Sequence, residues 1–391
     1  MSFLKVTAMN WQRSKFWGQF WPLRKLSLFL ILLTIAVSLG PIHADHYNNF
    51  LIFRASFFHL LQGQNLYGLF PADHFDYYKY SPTFALLMAP WALFPTAIGA
   101  VLWNLVGVLA MLLAVAGLPL GNKEKSLLIW MVLPEWIGSM QNFQSNCLMA
   151  ALVAGCALLL ERNRVVWAAC LVALAIHIKI FGVVAVVLAA THPRRWVFAA
   201  ALVGWTLGLA ILPLVFLTSS QLLTEYGEWF HLLRWDNAQS VGYSVMGIWE
   251  GLTGQRLPNL PVQLAGALGL CLPVVLQKIK TQQDRMIYLG QLLIWLVIFN
   301  HKSESPTFVI AMFGFGIWYF FSPRGRPQKV MVFLTLLMVS VFFSDVFPKG
   351  IRNDYVEPLA MKAWPLFATW LWSLGAMVWP ASVSNECQSA V

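Results

Sequence analysis

Four polar clusters interrupt an otherwise apolar chain, and their residue types are those of acid–base and phosphate chemistry. "GPIHADHYNNF" (40–50) places Asp45 between His43 and His46, directly after a long apolar run. A carboxylate there is either part of a solvated loop or part of a reaction centre. "PEWIGSMQNFQSN" (134–146) sets Glu135, Gln141, Asn142, Gln144 and Asn146 between two short apolar runs. "LAIHIKIFG" (174–182) does the same with His177 and Lys179, and "FNHKSESPTF" (299–308) with Asn300, His301, Lys302 and Glu304. A charge inside an apolar slab costs roughly 2.5–3.5 kcal/mol or more. Each break alone reads as a short exposed turn; three such breaks argue for a shared ligand.

The residue types indicate what that ligand is. Lys179, His301, Lys302 and Arg54 can neutralise a phosphate. Amides suit a hydroxyl-rich ligand, and Trp and Tyr suit the apolar faces of sugars. His46, Tyr80, Gln141, Asn142, Gln144, Asn146, His177 and Glu304 are the candidate substrate contacts. A phosphate held at an interface between short spans points to a lipid carrier whose tail stays in the bilayer. No P-loop, GxGxxG, HExxH or GxSxG is present, so nothing supports ATP, a nicotinamide cofactor, zinc or acyl-serine chemistry.

These clusters must be positioned by membrane helices. The chain is 59% apolar with 19 Trp and 28 Phe, and 11% charged, against about 25% charged in soluble domains. It reads as one integral membrane domain over 1–391. The formal charge of +10 sits in short loops between apolar runs, which argues against nucleic acid. Cys147, Cys156, Cys170, Cys271 and Cys387 mostly lie inside those runs and read as small apolar packing residues.

Apolar runs fall at about 26–42, 96–118, 126–139, 146–160, 164–177, 180–190, 196–217, 261–276, 286–299, 307–321, 330–343 and 364–380. The expected fold is therefore an all-α polytopic bundle of about twelve transmembrane helices. Several runs are shorter than the roughly 20 residues of a straight crossing, which implies broken or half-spanning helices around a wet cavity. With the N-terminus inside, 17 of the 26 Lys and Arg residues fall in inner loops. Eleven carboxylates, from Asp45 to Glu357, fall outside. A cleaved signal peptide is the competing reading of residues 1–44; the amphipathic segment and further apolar runs that follow suit a retained span better.

The outward loops are the longer ones, at 43–95, 218–260 and 344–363, so function should face outward. In the first, Phe50, Leu51, Phe53, Phe57, Phe58 and Leu61 predict one apolar face of an interfacial helix, opposite Asn48, Ser56, His59 and Gln62. Arg54 falls on that apolar face, either snorkelling to headgroups or pointing into a cavity. Residues 82–95, bounded by Pro82 and Pro95, suit a half-inserted helix. Trp229, Trp235, Asp236 and Tyr355 in the later loops are left to shape an acceptor cleft.

The order Asp45, interfacial helix, "QGQNLY", "YKYSP", "MQNFQSN", "ERNR", "HIKIFG" and "NHKSESP" resembles glycosyltransferase family 87. That resemblance implies a GT-C fold and transfer of a sugar, typically mannose, from a polyprenyl-phosphate donor to a glycan or glycolipid hydroxyl. It implies Asp45 as the catalytic base, at the position of the family's carboxylate in the first outward loop. Lys179, His301, Lys302 and Arg54 would stabilise the departing phosphate, and one displacement would invert the sugar. No cofactor is expected beyond the donor lipid. His46 follows Asp45 where many members carry a second acid, which argues against a divalent metal. The setting implied is a cytoplasmic membrane with the site on its outer face. A lipid-linked-sugar flippase or other transporter is the alternative, favoured by broken helices, and a polysaccharide polymerase or ligase is a closer rival. A transporter should show paired repeats and charges near the bilayer centre.

Overall fold

The chain is described by a computed structural model over residues 22–237, 241–301 and 303–379. Lys302, Cys387, Lys5, Arg13 and Lys15 lie outside the described residues. Every regular element among the described residues is helical. After α1 (Leu23–His43), the 43–95 stretch folds into α2 (Asn48–Leu61), α3 (Pro82–Leu87) and α4 (Ala89–Ala92). Next come α5 (Thr96–Gly117), α6 (Asn122–Gln141), α7 (Asn146–Glu161) and α8 (Val165–Ile178). A 3-10 segment (Ile180–Ala189) leads to α9 (Arg195–Ile211), α10 (Ser219–Asn237), α11 (Val245–Thr253) and α12 (Asn259–Val275). The chain continues through α13 (Gln282–Ile298), α14 (Phe308–Phe321) and α15 (Arg326–Thr335), and ends with the short α16 (Lys349–Ile351) and α17 (Trp364–Val378).

Each of the twelve apolar runs falls on a helical segment, because a backbone in hydrocarbon must satisfy its own polar groups. Three segments are long and apolar enough to cross a membrane alone: Leu23–His43, Thr96–Gly117 and Arg195–Val215. Their surfaces differ from those of the shorter helices. In α9 only Phe198 and Leu209 are buried, and Val203, Leu207 and Ile211 are exposed; such a surface is stable only against lipid. In α1 the buried residues Leu26, Leu30, Thr34 and Ser38 recur every four positions, forming one packed stripe.

The short helices form the interior. Most of α7 and α13 and nearly all of α14 are buried. The last two approach closely because a Cβ on Gly290 would lie 2.6 Å from the Gly314 carbonyl oxygen, and the reverse substitution meets the same distance. At the start of α13, Thr281 Oγ1 accepts from the Asp284 amide (3.1 Å) and Asp284 Oδ2 accepts from the Thr281 amide (2.7 Å), which closes the helix end.

Helix α2 differs from its expected amphipathic form. Phe50, Phe53 and Phe57 are buried as expected, but Ser56 and His59 are buried too, while Leu61 is exposed. The following loop folds back over the polar side: His59 Nε2 lies 3.0 Å from Asp73 Oδ2, and its ring lies 3.8 Å from that of Phe70. Single-face periodicity cannot reveal such a cover. Residues 82–95 form two short helices broken at Met88, with Pro82 in the first turn and Ser81 Oγ accepting from the Phe84 amide (3.2 Å).

One ion pair joins three parts of the bundle. Lys362 Nζ lies 2.8 Å from Glu135 Oε2 on α6 and donates to Ser305 Oγ (2.5 Å), between the rings of Phe308 and Phe343. Both charged side chains are buried. Glu135 is thus a packing partner and does not line the cavity described below. Removing one partner of such a pair leaves an uncompensated charge. Lys362→Met is expected to destabilise by roughly 3–5 kcal/mol, read as a lower thermal midpoint in detergent, and Lys362→Met/Glu135→Leu to recover most of it. A double variant as unstable as the single one would show that the pair is not the cause.

Candidate active site

Where short helices stop, a cavity of about 560 Å³ opens between α2, α10, α12, α13 and the breaks at Lys179 and His301. Its walls carry Tyr77, Tyr80, Phe181, Phe230, Trp295 and Phe299. Its ionisable lining is Asp76, Lys79, Lys179, Arg234, Asp236, His301 and Glu304. Apolar walls with a few convergent charges suit a ligand with both an apolar and an ionic part.

Lys179 is held there by a helix end. Helix α8 stops at Ile178, Lys179 is extended (φ −140°, ψ 121°), and the 3-10 segment turns back on α8. Gly182 permits that turn: a Cβ on it would lie 2.7 Å from the backbone carbon of Ala175. Lys179 Nζ donates to Asn146 Oδ1 (2.7 Å), and Asn146 Nδ2 donates to the Pro306 carbonyl (3.0 Å). Asn146 therefore ties Lys179 to the break that carries His301 and Glu304. The rings of Tyr80 and Phe181 flank the ammonium at 6.0 and 5.8 Å. Ser81 Oγ donates to the His177 carbonyl (2.6 Å), locking the start of α3 to the same helix end.

The His301 break is shaped from below. The Tyr243 amide donates to the Ser303 carbonyl (2.8 Å), and Gly242 takes a positive φ of 54°. A Cβ on Gly242 would lie 2.8 Å from the Ser303 amide nitrogen, so only glycine lets the strands of loop meet. His301 Nδ1 faces Gln263 Nε2 of α12 at 3.3 Å. On the opposite wall, Lys79 Nζ lies 3.0 Å from Asp76 Oδ2 and 3.7 Å from Asp236 Oδ1. Trp229 Nε1 donates to the Lys79 carbonyl (3.2 Å), fastening α10 over the first loop.

Of the residues singled out from sequence, the cavity gathers Lys179, His301, Tyr80, Gln144 and Glu304, with Asn146 acting through Lys179. His177 points elsewhere; its Nε2 is 3.1 Å from the Thr206 carbonyl, inside the helix packing. Arg54 lines a separate cavity of about 440 Å³ beside His59, Gln62 and Asp73, with its guanidinium 4.8 Å from the Phe58 ring. Asp45 and His46 are exposed in the turn between α1 and α2, with Asp45 at φ 55°, and they are not part of the cavity lining. Gln141 and Asn142 are exposed as well. The Asn142 carbonyl accepts from Nδ2 of Asn49 (2.8 Å), a cavity residue in the first turn of α2. Lys302 lies outside the described residues.

Sequence reasoning missed Asp76, Lys79, Arg234 and Gln263 as cavity residues, and it left Asp236 to the acceptor cleft by elimination alone. "FDYYKYSP" and "LLRWDN" each pair a charge of either sign with aromatics, a signal that could have drawn them together. Tyr355, assigned to the same cleft, is 62% exposed and does not line the cavity.

The geometry defines a membrane protein with an ionic, aromatic-walled cavity at one end of its helices. The pattern of glycosyltransferase family 87 matches residues 78–345, and the chain belongs to that family; it is a membrane glycosyltransferase. Membership decides for an enzyme against the transporter reading. The match includes Lys179 and His301, whereas Asp45 precedes it. No curated protein matches the chain. Among solved structures it is similar to ArnT from Cupriavidus metallidurans bound to undecaprenyl phosphate, at 13% identity and a TM-score of 0.40, over 94% of this chain and 78% of that one.

Helix α10 is also tied to the first loop through Glu225, whose Oε2 accepts from the Leu66 amide (3.0 Å). Burial holds this carboxyl above its ordinary value, against the Leu66 bond that favours the anion. A raised folded-state pKa gives a contribution that is complete below the ordinary carboxylate range and lost as pH rises through the raised value. Glu225→Gln keeps an acceptor for Leu66 and removes that loss. Its thermal midpoint is expected to exceed that of the wild type more at about pH 8 than at about pH 4; a gap constant with pH would contradict the assignment.

Proposed function

We propose that the chain moves a sugar, with mannose as the expected one, from a polyprenyl-phosphate donor to a hydroxyl of a glycan or glycolipid acceptor. The observation that carries this reading is the meeting of Lys179 and His301 with aromatic walls at the ends of apolar helices. The lipid tail would remain in the bilayer while its phosphate meets Lys179 and His301, with Lys302 in the same break. The apolar runs support about twelve crossings, and the charge bias of the loops supports a cytoplasmic membrane with the site on its outer face, in the cell envelope. No cofactor enters the reaction.

Asp45 is the proposed general base. It would take the acceptor proton as the hydroxyl attacks the anomeric carbon; the carbon–oxygen bond to the lipid phosphate breaks, and the phosphate leaves with that electron pair toward the cations. A single displacement inverts the sugar. Asp45 stands three residues before α2, whose Asn49, Ile52 and Phe53 line the cavity. A second reading puts the base in the cavity itself, because Asp76, Asp236 and Glu304 line it and Asp45 does not.

Transfer from synthetic polyprenyl-phosphate mannose by purified protein separates the two. Asp45→Asn is expected to lower kcat by about 10²–10⁴-fold with donor KM retained. Activity of Asp45→Asn equal to wild type, with loss in Asp76→Asn, Asp236→Asn or Glu304→Gln, would move the base into the cavity. Lys179→Met is expected to lower kcat by about 10²-fold, and an unchanged rate would remove Lys179 from the phosphate site.

A further inference from the structure

A second cavity of about 530 Å³ lies at the other end of the bundle. Helix α7 connects the two: Asn146 at its start bonds Lys179, and Glu161 at its end lines the second cavity. The rise of fifteen residues separates them by about 22 Å. The proposed transferase chemistry makes no use of this site.

Its mouth is basic. Glu161 is the one carboxylate in the lining, and it is already engaged: Arg285 bonds it through Nε and through Nη2 (3.0 Å), and Gln282 Nε2 donates to it as well (3.2 Å). Arg285 Nη1 also donates to the Lys280 carbonyl (3.0 Å), so this guanidinium is spent on the protein. Asp284, nearby, is occupied by the Thr281 and Lys280 amides. Among the described residues, that leaves Arg194 and Lys280, exposed at the rim on two different connections, as cations without a carboxylate partner. His192 Nδ1 accepts from the Arg194 amide (3.1 Å), which fixes the turn carrying that arginine.

The floor is apolar. Leu160, Met286 and the ring of Tyr288 are buried at the bottom of the same cavity. A polar mouth with two free cations above an apolar floor fits an amphiphile with an anionic head. It fits a free anion less well, since the inner half offers such an anion no partner. Exposed Trp167 and Trp196 flank the same end of the helices, where indole rings favour the headgroup layer.

We propose that this cavity is a binding site for an anionic phospholipid, with its phosphodiester between Arg194 and Lys280 and its glycerol and chain roots against Leu160 and Met286. Basic pockets between membrane helices recognise anionic headgroups in this way. Native mass spectrometry of the full-length protein in neutral detergent, with phosphatidylglycerol or phosphatidylcholine added, tests it. Wild type is expected to retain phosphatidylglycerol about tenfold better than phosphatidylcholine, and Arg194→Gln/Lys280→Gln to lose that preference. Arg194→Lys/Lys280→Arg should keep it, as should Arg162→Gln/Arg164→Gln, which removes two charges at the same end but outside the cavity. Equal retention of both lipids by wild type, or loss in the Arg162/Arg164 variant to the same degree, would overturn the site. Displacement of phosphatidylglycerol by inorganic phosphate at equal concentration would also overturn it, leaving a phosphate site without a lipid.

Discussion

A helix that ends before it has crossed the bilayer leaves polar backbone and its next polar side chain at a depth where only protein can satisfy them. The architecture around the first cavity is built on that constraint. Helix α8 ends at Ile178 and α13 at Ile298, and each is followed within three residues by a basic side chain, Lys179 or His301. Asn146 begins the neighbouring helix and bonds to both breaks. The cavity is thus lined in part by helix ends, and Lys179 and His301 follow two of them.

Charge is treated in two ways in the bundle. Lys362 and Glu135 are fully enclosed and matched to each other, with Ser305 taking a further donor bond. Such a pair costs desolvation and returns registration: it holds the segment that begins at Glu304 against α6. In the cavity the two lysines are held by different kinds of partner. Lys179 bonds an amide oxygen, a neutral partner, rather than a carboxylate. Lys79 has carboxylates of the first loop and of α10 on either side, so it works as a clasp between two connections.

The two cavities at opposite ends have contrasting linings. The first mixes both signs of charge with many rings, as an ionic sugar donor and a polyhydroxyl acceptor require. The second has its single carboxylate neutralised and two cations left over. Rigid interior helices α7, α13 and α14 separate them, and the close contact at Gly290 and Gly314 makes that interior hard to deform. An occupant at one end would act on the other only through these packed helices.

Sequence alone determined the helical class, the apolar helices and the breaks that carry Lys179 and His301, because hydropathy and chain interruption are local properties; it read 218–260 as a loop, where the structure has α10 and α11. The order of short motifs along the chain also pointed to the family that residues 78–345 match. Which polar residues meet was decided by the tertiary structure. His177 and Lys179 are two positions apart, yet one faces the Thr206 carbonyl within the packing and the other faces the cavity, since the helix ends between them. Arg54 shares α2 with Phe53, but the loop carrying Asp73 folds over its side and gives it a separate cavity. Asp76 and Asp236 stand far apart in sequence and converge on Lys79 because Trp229 fastens α10 across the first loop. Periodicity reports the face a residue occupies on its own helix; what covers that face depends on contacts between distant segments.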